Sequence, residues 1–412
     1  MKQIPRFIPT LTISEIIQAI FINVKNRKKI DFLKLFREEF AKYIGVNHAI
    51  AVPSARIGLA AILSALKIPK GKEVIIPSLT HQAIPYIFCD FGLKPRFVDI
   101  DPDRYCIDVD KIEEAINETT ALIFPVHLYG RACKMKVIME LAKKHGLFVI
   151  EDCAQSCGGG CLEQKLGSFG IASIFSFHPH KNISVLGSGM VTTNSREIFE
   201  DITQSVKQYE RMCWKGVVKR LLYSAGLRFA TLAGVWRNIT VLILKIFNRQ
   251  GVDIVEFMTN EVPEKDREKA KKTKWYLPQS YHGVIGLKQL ERLDSLNKKR
   301  INNGNILREG LKKIEGINLV SQAQSDENIY TTFVVRVNNR GRFRRRMLRL
   351  GVDTHSGNMF AGSTIPGFEK RGESKVADDI VNRMVHLPVY PDLSRKDLKK
   401  IIESAEKAIN NE

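Results

Sequence analysis

Apolar and polar positions along this chain fall into blocks of different period. Phe32, Leu33, Leu35, Phe36, Phe40 and Tyr43 recur at helical spacing, and Asp31 stands where a helix start needs an acceptor. A helix over about 31–43 is therefore predicted, preceded by an N-terminal arm. From residue 46 to about 195, short apolar runs (49–52, 73–76, 96–98, 121–126 and 147–150) alternate with helix-like stretches. Two of these stretches are 57–66 and 135–145, the second closed by Gly146. Strands without a polar face, separated by helices, predict a mainly parallel sheet covered on both sides. Ligands of such sheets collect at the carboxyl ends of the strands.

Residues 213–248 break this alternation. They are apolar, with Trp214, Leu221, Leu222, Tyr223, Trp236 and a run at 241–244, but Lys215, Lys219, Arg220, Arg228, Arg237 and Lys245 are scattered among them. No uncharged run there approaches the roughly 20 residues that a membrane-spanning helix needs. Interleaved Trp, Leu and Lys/Arg suit a helix lying on a membrane surface. An internal helical pair or a subunit-interface element is the alternative. A polar stretch at 261–274 follows, then a long helix pattern from 279 to about 313, a strand-like run at 330–337 and a final helix near 395–409. The expected organisation is an arm and helix over 1–45, a large domain over 46–278 and a smaller α+β domain over 279–412.

Length and composition agree with two globular α/β units: 412 residues, 44% hydrophobic and 26% charged. The apolar run 16–24 is broken by Gln18 and Asn23 and has no small-residue cleavage site after it, so a secretory signal is not expected. Seven cysteines without a disulfide-framework spacing fit a reducing, cytoplasmic compartment, with peripheral contact at the inner membrane face if 213–248 meets lipid. Cys153, Cys157 and Cys161 recur every fourth residue but read as packing residues, Gly158-Gly159-Gly160 reads as a flexible turn, and no metal site is expected. The net charge of +20 points to an anionic partner. Without zinc-finger spacing or an RNA-recognition aromatic signature, nucleic acid is not the expected one.

The chemistry concentrates between residues 149 and 194. A strand ends in Glu151-Asp152, and a carboxylate there can pair with a protonated pyridine nitrogen, which makes pyridoxal phosphate (PLP) an electron sink. Further on, Phe175-Ser176-Phe177-His178-Pro179-His180-Lys181-Asn182 offers a lysine that can form an imine with an aldehyde cofactor and then move a proton. Ser176 is placed to donate to a phosphate. His178 and His180 read as pocket or packing residues.

These segments, with Ile76-Pro77-Ser78-Leu79-Thr80-His81, Phe97-Val98-Asp99-Ile100-Asp101, Pro125-Val126-His127-Leu128-Tyr129-Gly130 and Leu387-Pro388-Val389-Tyr390-Pro391, resemble the DegT/DnrJ/EryC1/StrS family. Members of that family are sugar aminotransferases of PLP fold type I. The resemblance implies a large α/β domain plus a small α+β domain. It also implies a homodimer with active sites at the subunit interface, and amino-group transfer from glutamate to a keto sugar on a nucleotide or related anionic carrier. By position it implies that Lys181 is the Schiff-base lysine, Asp152 the partner of the pyridine nitrogen, Gln155 a donor to the phenolic oxygen and Ser176 a phosphate ligand. His81 falls where the family stacks a flat side chain on the cofactor ring, and Ser54-Ala55-Arg56 where it has its phosphate-binding turn.

Several positions depart from the family pattern. Ser54-Ala55-Arg56 replaces Ser-Gly-Thr, which leaves Arg56 open between phosphate ligand and helix-surface residue. Leu186-Gly187-Ser188-Gly189 replaces Gly-Glu-Gly-Gly, and Thr273–Leu277 lacks the bridging asparagine. Two alternative functions stay open: a PLP-dependent sugar dehydratase, in which a histidine replaces the lysine, and a PLP-binding regulatory or scaffold protein without turnover. Retention of Lys181 argues against the first.

Overall fold

The structure, a computed structural model, describes residues 3–25, 30–232, 235–236, 274–321, 328–368, 372 and 374–410. Its central sheet is built from β1 (His48–Val52), β2 (Glu73–Pro77), β3 (Lys94–Val98), β4 (Thr120–Ile123), β5 (Phe148–Asp152), β6 (Ala172–Ser176) and β7 (Gly189–Thr193). The spatial order is β1-β7-β6-β5-β4-β2-β3. Strands β3, β2, β4, β5 and β6 run parallel, whereas β7 lies antiparallel between β6 and β1. This is the α/β sheet of PLP fold type I.

Helices cover both faces, so the strands carry apolar residues on both. Val74 and Ile76 of β2 pack toward α3 (Ala55–Leu66), α4 (Ala83–Asp90) and the later helix Arg196–Ser205, while Ile75 between them joins the cluster of α5 (Val109–Ala115) and α6 (Met135–His145). Ahead of the sheet come α1 (Ile13–Lys25) and α2 (Phe32–Ile44). Asp31 caps α2 by accepting from the backbone N–H groups of Leu33 and Lys34, and Gly45 ends it in a left-handed conformation. The helical spacing read from the sequence buries Phe36 and Phe40, but Leu35 points to solvent. Phe36, Phe40, Phe175 and Phe177 form a cluster with ring centroids 5.0–5.9 Å apart, each aromatic pair adding about 0.5–1.5 kcal/mol beyond its buried area. Phe175 and Phe177 flank Ser176, so this packing fixes the end of β6.

The helix Arg196–Ser205 (α7) leads to α8 (Trp214–Ala230), the described part of the basic apolar segment. Val217, Leu221 and Ser224 of α8 are buried against the body of the protein, and α1 packs beside it. The remainder of 213–248, apart from residues 213, 231–232 and 235–236, lies outside the described residues, as do Lys271-Lys272 and most of the basic knot at 25–29. Among the described residues no helix is long and apolar enough to cross a membrane. The expected long helix from 279 to 313 is two helices, α9 (Ser280–Glu291) and α10 (Leu293–Leu311). They meet at Arg292, whose ψ near 0° bends the chain and whose guanidinium pairs with Glu15 of α1 at 2.8 Å.

The C-terminal part has an antiparallel sheet of β8 (Asn318–Leu319), β9 (Phe333–Arg336) and β10 (Met384–Leu387). With it pack α10, α11 (Arg340–Arg349) and α13 (Arg395–Asn410), α12 being Lys375–Arg383. The arginine knot in α11 is partly structural: Arg344 donates to the Thr354 carbonyl and Arg346 to that of Ala408. The N-terminal arm joins this core as well. Ile4 is buried there and bridges Val352, and Arg6 makes a two-bond ion pair with Asp353 at 2.7 and 2.8 Å, both side chains buried.

Candidate active site

Strand β5 delivers two adjacent carboxylates to opposite sides of the sheet, as period-two alternation requires. Glu151 is fully buried and saturated. It accepts from the backbone N–H groups of Gly167, Phe169 and Gly170 at 2.8–2.9 Å and from His127 Nε2 at 3.1 Å. Because His127 Nδ1 accepts from the Cys133 N–H, its proton must sit on Nε2, facing Glu151. Glu151, His127 and Cys153 bring ligand-capable atoms within 4.8 Å of one another. Their oxygens and nitrogens are already committed to these bonds, so the cluster ties the strand end to its loops.

Asp152, next to it, faces a cavity of about 350 Å³. One oxygen accepts from the Ala154 N–H at 2.9 Å, and the other has no donor among the described residues. Burial raises the carboxyl above its usual range, while Lys181, His127 and His81 pull the other way. Asp152 is thus a buried acid that needs a cationic partner.

Lys181 reaches the same cavity from a turn that follows β6. Its backbone N–H donates to the His178 carbonyl at 2.9 Å, and the next residue, Asn182, is anchored to the Cys157 carbonyl at 2.6 Å. Ser176, the last residue of β6, lines the cavity with a hydroxyl that has no partner among the described residues. Opposite it in the ladder is Gly189, where a Cβ would come within 2.7 Å of the Ala55 nitrogen and of the Phe175 carbonyl oxygen. Glycine at 189 therefore lets the start of β7 abut the turn that opens α3.

That turn is Ser54-Ala55-Arg56. The Ser54 hydroxyl caps α3 by accepting from Ile57 at 3.3 Å, and the first-turn N–H groups of such a helix have no intrahelical partners. Arg56 lies at the cavity wall with its guanidinium 5.3 Å from the Trp275 ring centroid, in the segment where the family's bridging asparagine is missing. His81 lines the cavity with its ring oriented by the Ala83 N–H, which donates to Nδ1 at 3.2 Å. Gln155 is held from both ends: its side-chain amide reaches the Met359 sulfur at 3.8 Å and its backbone carbonyl accepts from the Thr331 hydroxyl at 2.8 Å. All the residues singled out in the sequence, Ser54, Ala55, Arg56, His81, Asp152, Gln155, Ser176 and Lys181, thus line one cavity.

Sequence reading did not single out four further residues that line the cavity, Arg6, Arg300, His355 and His386. His180 lies edge-on to Phe7 at 4.2 Å and stacks with His178 at 5.1 Å, so both act as wall residues. His355 and His386 meet edge-on at 4.4 Å, across an isolated bridge between their strands. Burial pushes His180 and His386 down to about 3, so these rings are neutral at pH 7. Gly158 is also more than a loose turn. A Cβ there would approach Asn297 and the Tyr43 hydroxyl to 2.7 Å. Cys153 and Cys157 are buried as packing residues, and all seven cysteines are free.

The donor set fits pyridoxal phosphate. A buried carboxylate suits the pyridinium, a primary amine the aldehyde, and an unpartnered hydroxyl beside a helix start the phosphate. The comparisons with known proteins agree. The DegT/DnrJ/EryC1/StrS aminotransferase family matches over residues 15–223 and 279–406. GDP-perosamine synthase of Escherichia coli O157:H7 is 27% identical, the alignment covering 98% of each chain. Spore coat polysaccharide biosynthesis protein SpsC of Bacillus subtilis is also 27% identical, over 90% of this chain and 87% of that one. Among solved structures, NtdA of Bacillus subtilis with bound cofactor PMP superposes with a TM-score of 0.75 at 21% identity, covering all of this chain and 86% of that one. This chain belongs to the DegT/DnrJ/EryC1/StrS aminotransferase family and is a PLP-dependent aminotransferase acting in sugar metabolism.

Proposed function

We propose that the protein moves an amino group from glutamate to a keto sugar carried on a nucleotide or a related anionic carrier, in polysaccharide or glycolipid biosynthesis. The observation that carries this reading is the convergence of Lys181, Asp152, Ser176 and Gln155 on a cavity that is also lined by Tyr390 and by His180 and His386, both neutral. Neutral imidazoles both donate and accept, which matches sugar hydroxyls. When bound, pyridoxal phosphate supplies the electron sink for the pair left at the donor's α-carbon. The chain's own residues do the rest. Lys181 Nζ takes the proton from that α-carbon and, in the second half of the cycle, a proton returns to the sugar carbon that receives the amine. Asp152 holds negative charge against the pyridine nitrogen, and Gln155 donates to the phenolic oxygen. Ser176 and the Ser54-Ala55-Arg56 turn hold the phosphate, while His81 covers one ring face.

Glutamate added to the cofactor-loaded protein, without any sugar, should bleach the yellow absorption and release one 2-oxoglutarate per site. A protein that keeps its yellow colour is a scaffold or uses another donor.

The working unit in this reading is a homodimer, and α1 with α8 forms a membrane-facing surface. Ile13, Ile17 and Phe21 on α1, one helical face, are 46–57% exposed, and α8 exposes Trp214, Leu222, Tyr223 and Phe229. Of the basic residues on α8, Arg220 and Arg228 turn back to the carbonyls of Leu186 and Pro9, whereas Lys215 and Lys219 face solvent. Apolar side chains between exposed lysines on a protein of net charge +20 suit an anionic lipid surface, each basic residue adding about 1 kcal/mol. Vesicles containing phosphatidylserine should co-sediment the protein at low salt and release it as salt rises. Replacing Leu222, Tyr223 and Phe229 by serine should abolish this binding and leave the dimer intact. A variant that instead falls apart into monomers marks the surface as a subunit interface.

A further inference from the structure

Arg300 lies in the middle of α10 and is only 4% exposed, yet it lines the same cavity as Lys181 and Asp152. A guanidinium carries five N–H donors and a permanent charge. Among the described residues this one makes a single hydrogen bond, from Nη1 to the side-chain oxygen of Asn297 at 3.2 Å, and no ion pair. That oxygen also accepts from Asn182 Nδ2 at 3.2 Å, and Asn182 directly follows Lys181. Arg300 is therefore two hydrogen bonds away from the lysine's own turn. Burial draws its pKa down to about 10, only partly opposed by Asp392, an exposed residue too far away to form an ion pair.

A buried charge with one neutral partner is an unstable arrangement unless an anion completes it. The other arginines of the cavity are accounted for differently. Arg6 is matched by Asp353, and Arg56 sits over Trp275 beside the helix start that suits the phosphate. The anion that must come close to Lys181 in every cycle is the carboxylate on the α-carbon of the amino donor, because that carbon is the one losing its proton. A carboxylate also matches the planar fork of a guanidinium, whose two parallel N–H groups can meet both oxygens.

We propose that Arg300 is the carboxylate-binding residue for the amino donor, and that it admits an amino acid to a cavity otherwise shaped for a sugar. This rests on the reading of glutamate as donor. The diphosphate of a nucleotide carrier fits the position poorly, because it lies beyond the sugar ring, away from the reacting carbon.

The test uses the full chain with cofactor bound and the variants Arg300→Gln, Arg300→Lys and Arg300→Met. In single-turnover mixing with glutamate, the concentration giving half-maximal bleaching should rise about 10- to 100-fold in Arg300→Gln, the loss of a charge-assisted bond, with a smaller change in the saturating rate. Arg300→Lys, which keeps the charge but not the fork, should fall between. Glutarate, a dicarboxylate that cannot react, should raise the melting temperature of the wild type but not of Arg300→Met, while GDP protects both equally. Arg300→Met should melt no lower than the wild type, since it removes an uncompensated charge from the interior. Unchanged glutarate binding in the variants overturns the proposal. So does loss of GDP protection with glutarate binding intact, which would make Arg300 a carrier-phosphate ligand. If the wild type itself fails to bleach with glutamate, the donor reading falls, and the proposal falls with it unless another amino acid bleaches the wild type and shows the same Arg300 dependence.

Discussion

Replacing Lys181 with alanine is expected to abolish amino-group transfer while leaving the fold intact. Removing a positioned proton carrier alone costs on the order of 10²–10⁴-fold, and here the same amine is also proposed to anchor the aldehyde, so the loss should lie at or beyond the upper end. The surrounding turn keeps its backbone and Asn182 anchors in the variant. Its hydrogen bonds come from the backbone of Lys181 and from Asn182, and Ile183 and Val185 bury their side chains beneath it. The melting temperature without cofactor should therefore stay close to that of the wild type. Lys181→Arg is the sharper control. It keeps the positive charge felt by Asp152, but a guanidinium does not give up its proton near neutral pH, so this variant should be as inactive as the alanine form. Borohydride treatment of the wild type should fix the cofactor to the peptide containing Lys181 and to no other. Attachment at a different lysine would remove Lys181 from its proposed place.

Asp152→Asn should lower transfer on the order of 10²–10³-fold, the usual scale for losing one preorganised electrostatic partner. The substitution preserves shape, and the amide oxygen can still accept from Ala154, so packing is not the issue. What disappears is the negative charge proposed to keep the pyridine nitrogen protonated. The buried carboxyl has a raised pKa, so its ionised form is present above that value and lost as pH falls through it. Cofactor retention by the wild type should accordingly weaken on acidification at a higher pH than a solvent-exposed aspartate would dictate. In Asp152→Asn that particular pH dependence should vanish. A wild-type rate in the variant, or an unchanged acid limb in cofactor retention, would take Asp152 out of the mechanism.

The parallel strands and the helices between them were legible because their apolar runs are long and bounded by turn residues. Strands β6 and β7 were not. Ala172-Ser173-Ile174-Phe175-Ser176 and Gly189-Met190-Val191-Thr192-Thr193 mix small polar residues into the run, since Ser173 and Thr192 face each other across the ladder as buried hydroxyls. The break between α9 and α10 was hidden for another reason: helical periodicity continues through Arg292, and only the ion pair to Glu15 reveals the bend. The cofactor end of the site was legible because its residues fall within the ordered segments from Ser54 to Lys181. Arg300, His355 and His386 stand far away in sequence: Arg300 follows Lys298-Lys299 on a polar helix, His355 lies in the polar run 353–356, and His386 alternates with apolar residues in β10. Proximity to Lys181 is a property of the folded chain, and no local spacing announces it.

The N-terminal arm ties residues 4–6 to 352–353 by backbone bonds and the Arg6–Asp353 pair, so part of the cavity wall is assembled from the first and last parts of the chain. For inheritance this makes one unit of two stretches that sit at opposite ends of the coding sequence. A recombination event that exchanges only the C-terminal third delivers a new cavity wall against an unmatched Arg6, whereas a swap that includes both ends keeps Arg6 and Asp353 together. The middle stretch, which holds Lys181 and Asp152, passes unaltered through such exchanges, whereas Arg300 travels with the C-terminal third. Lineages can in this way change the wall around the lysine while keeping the lysine and the aspartate themselves.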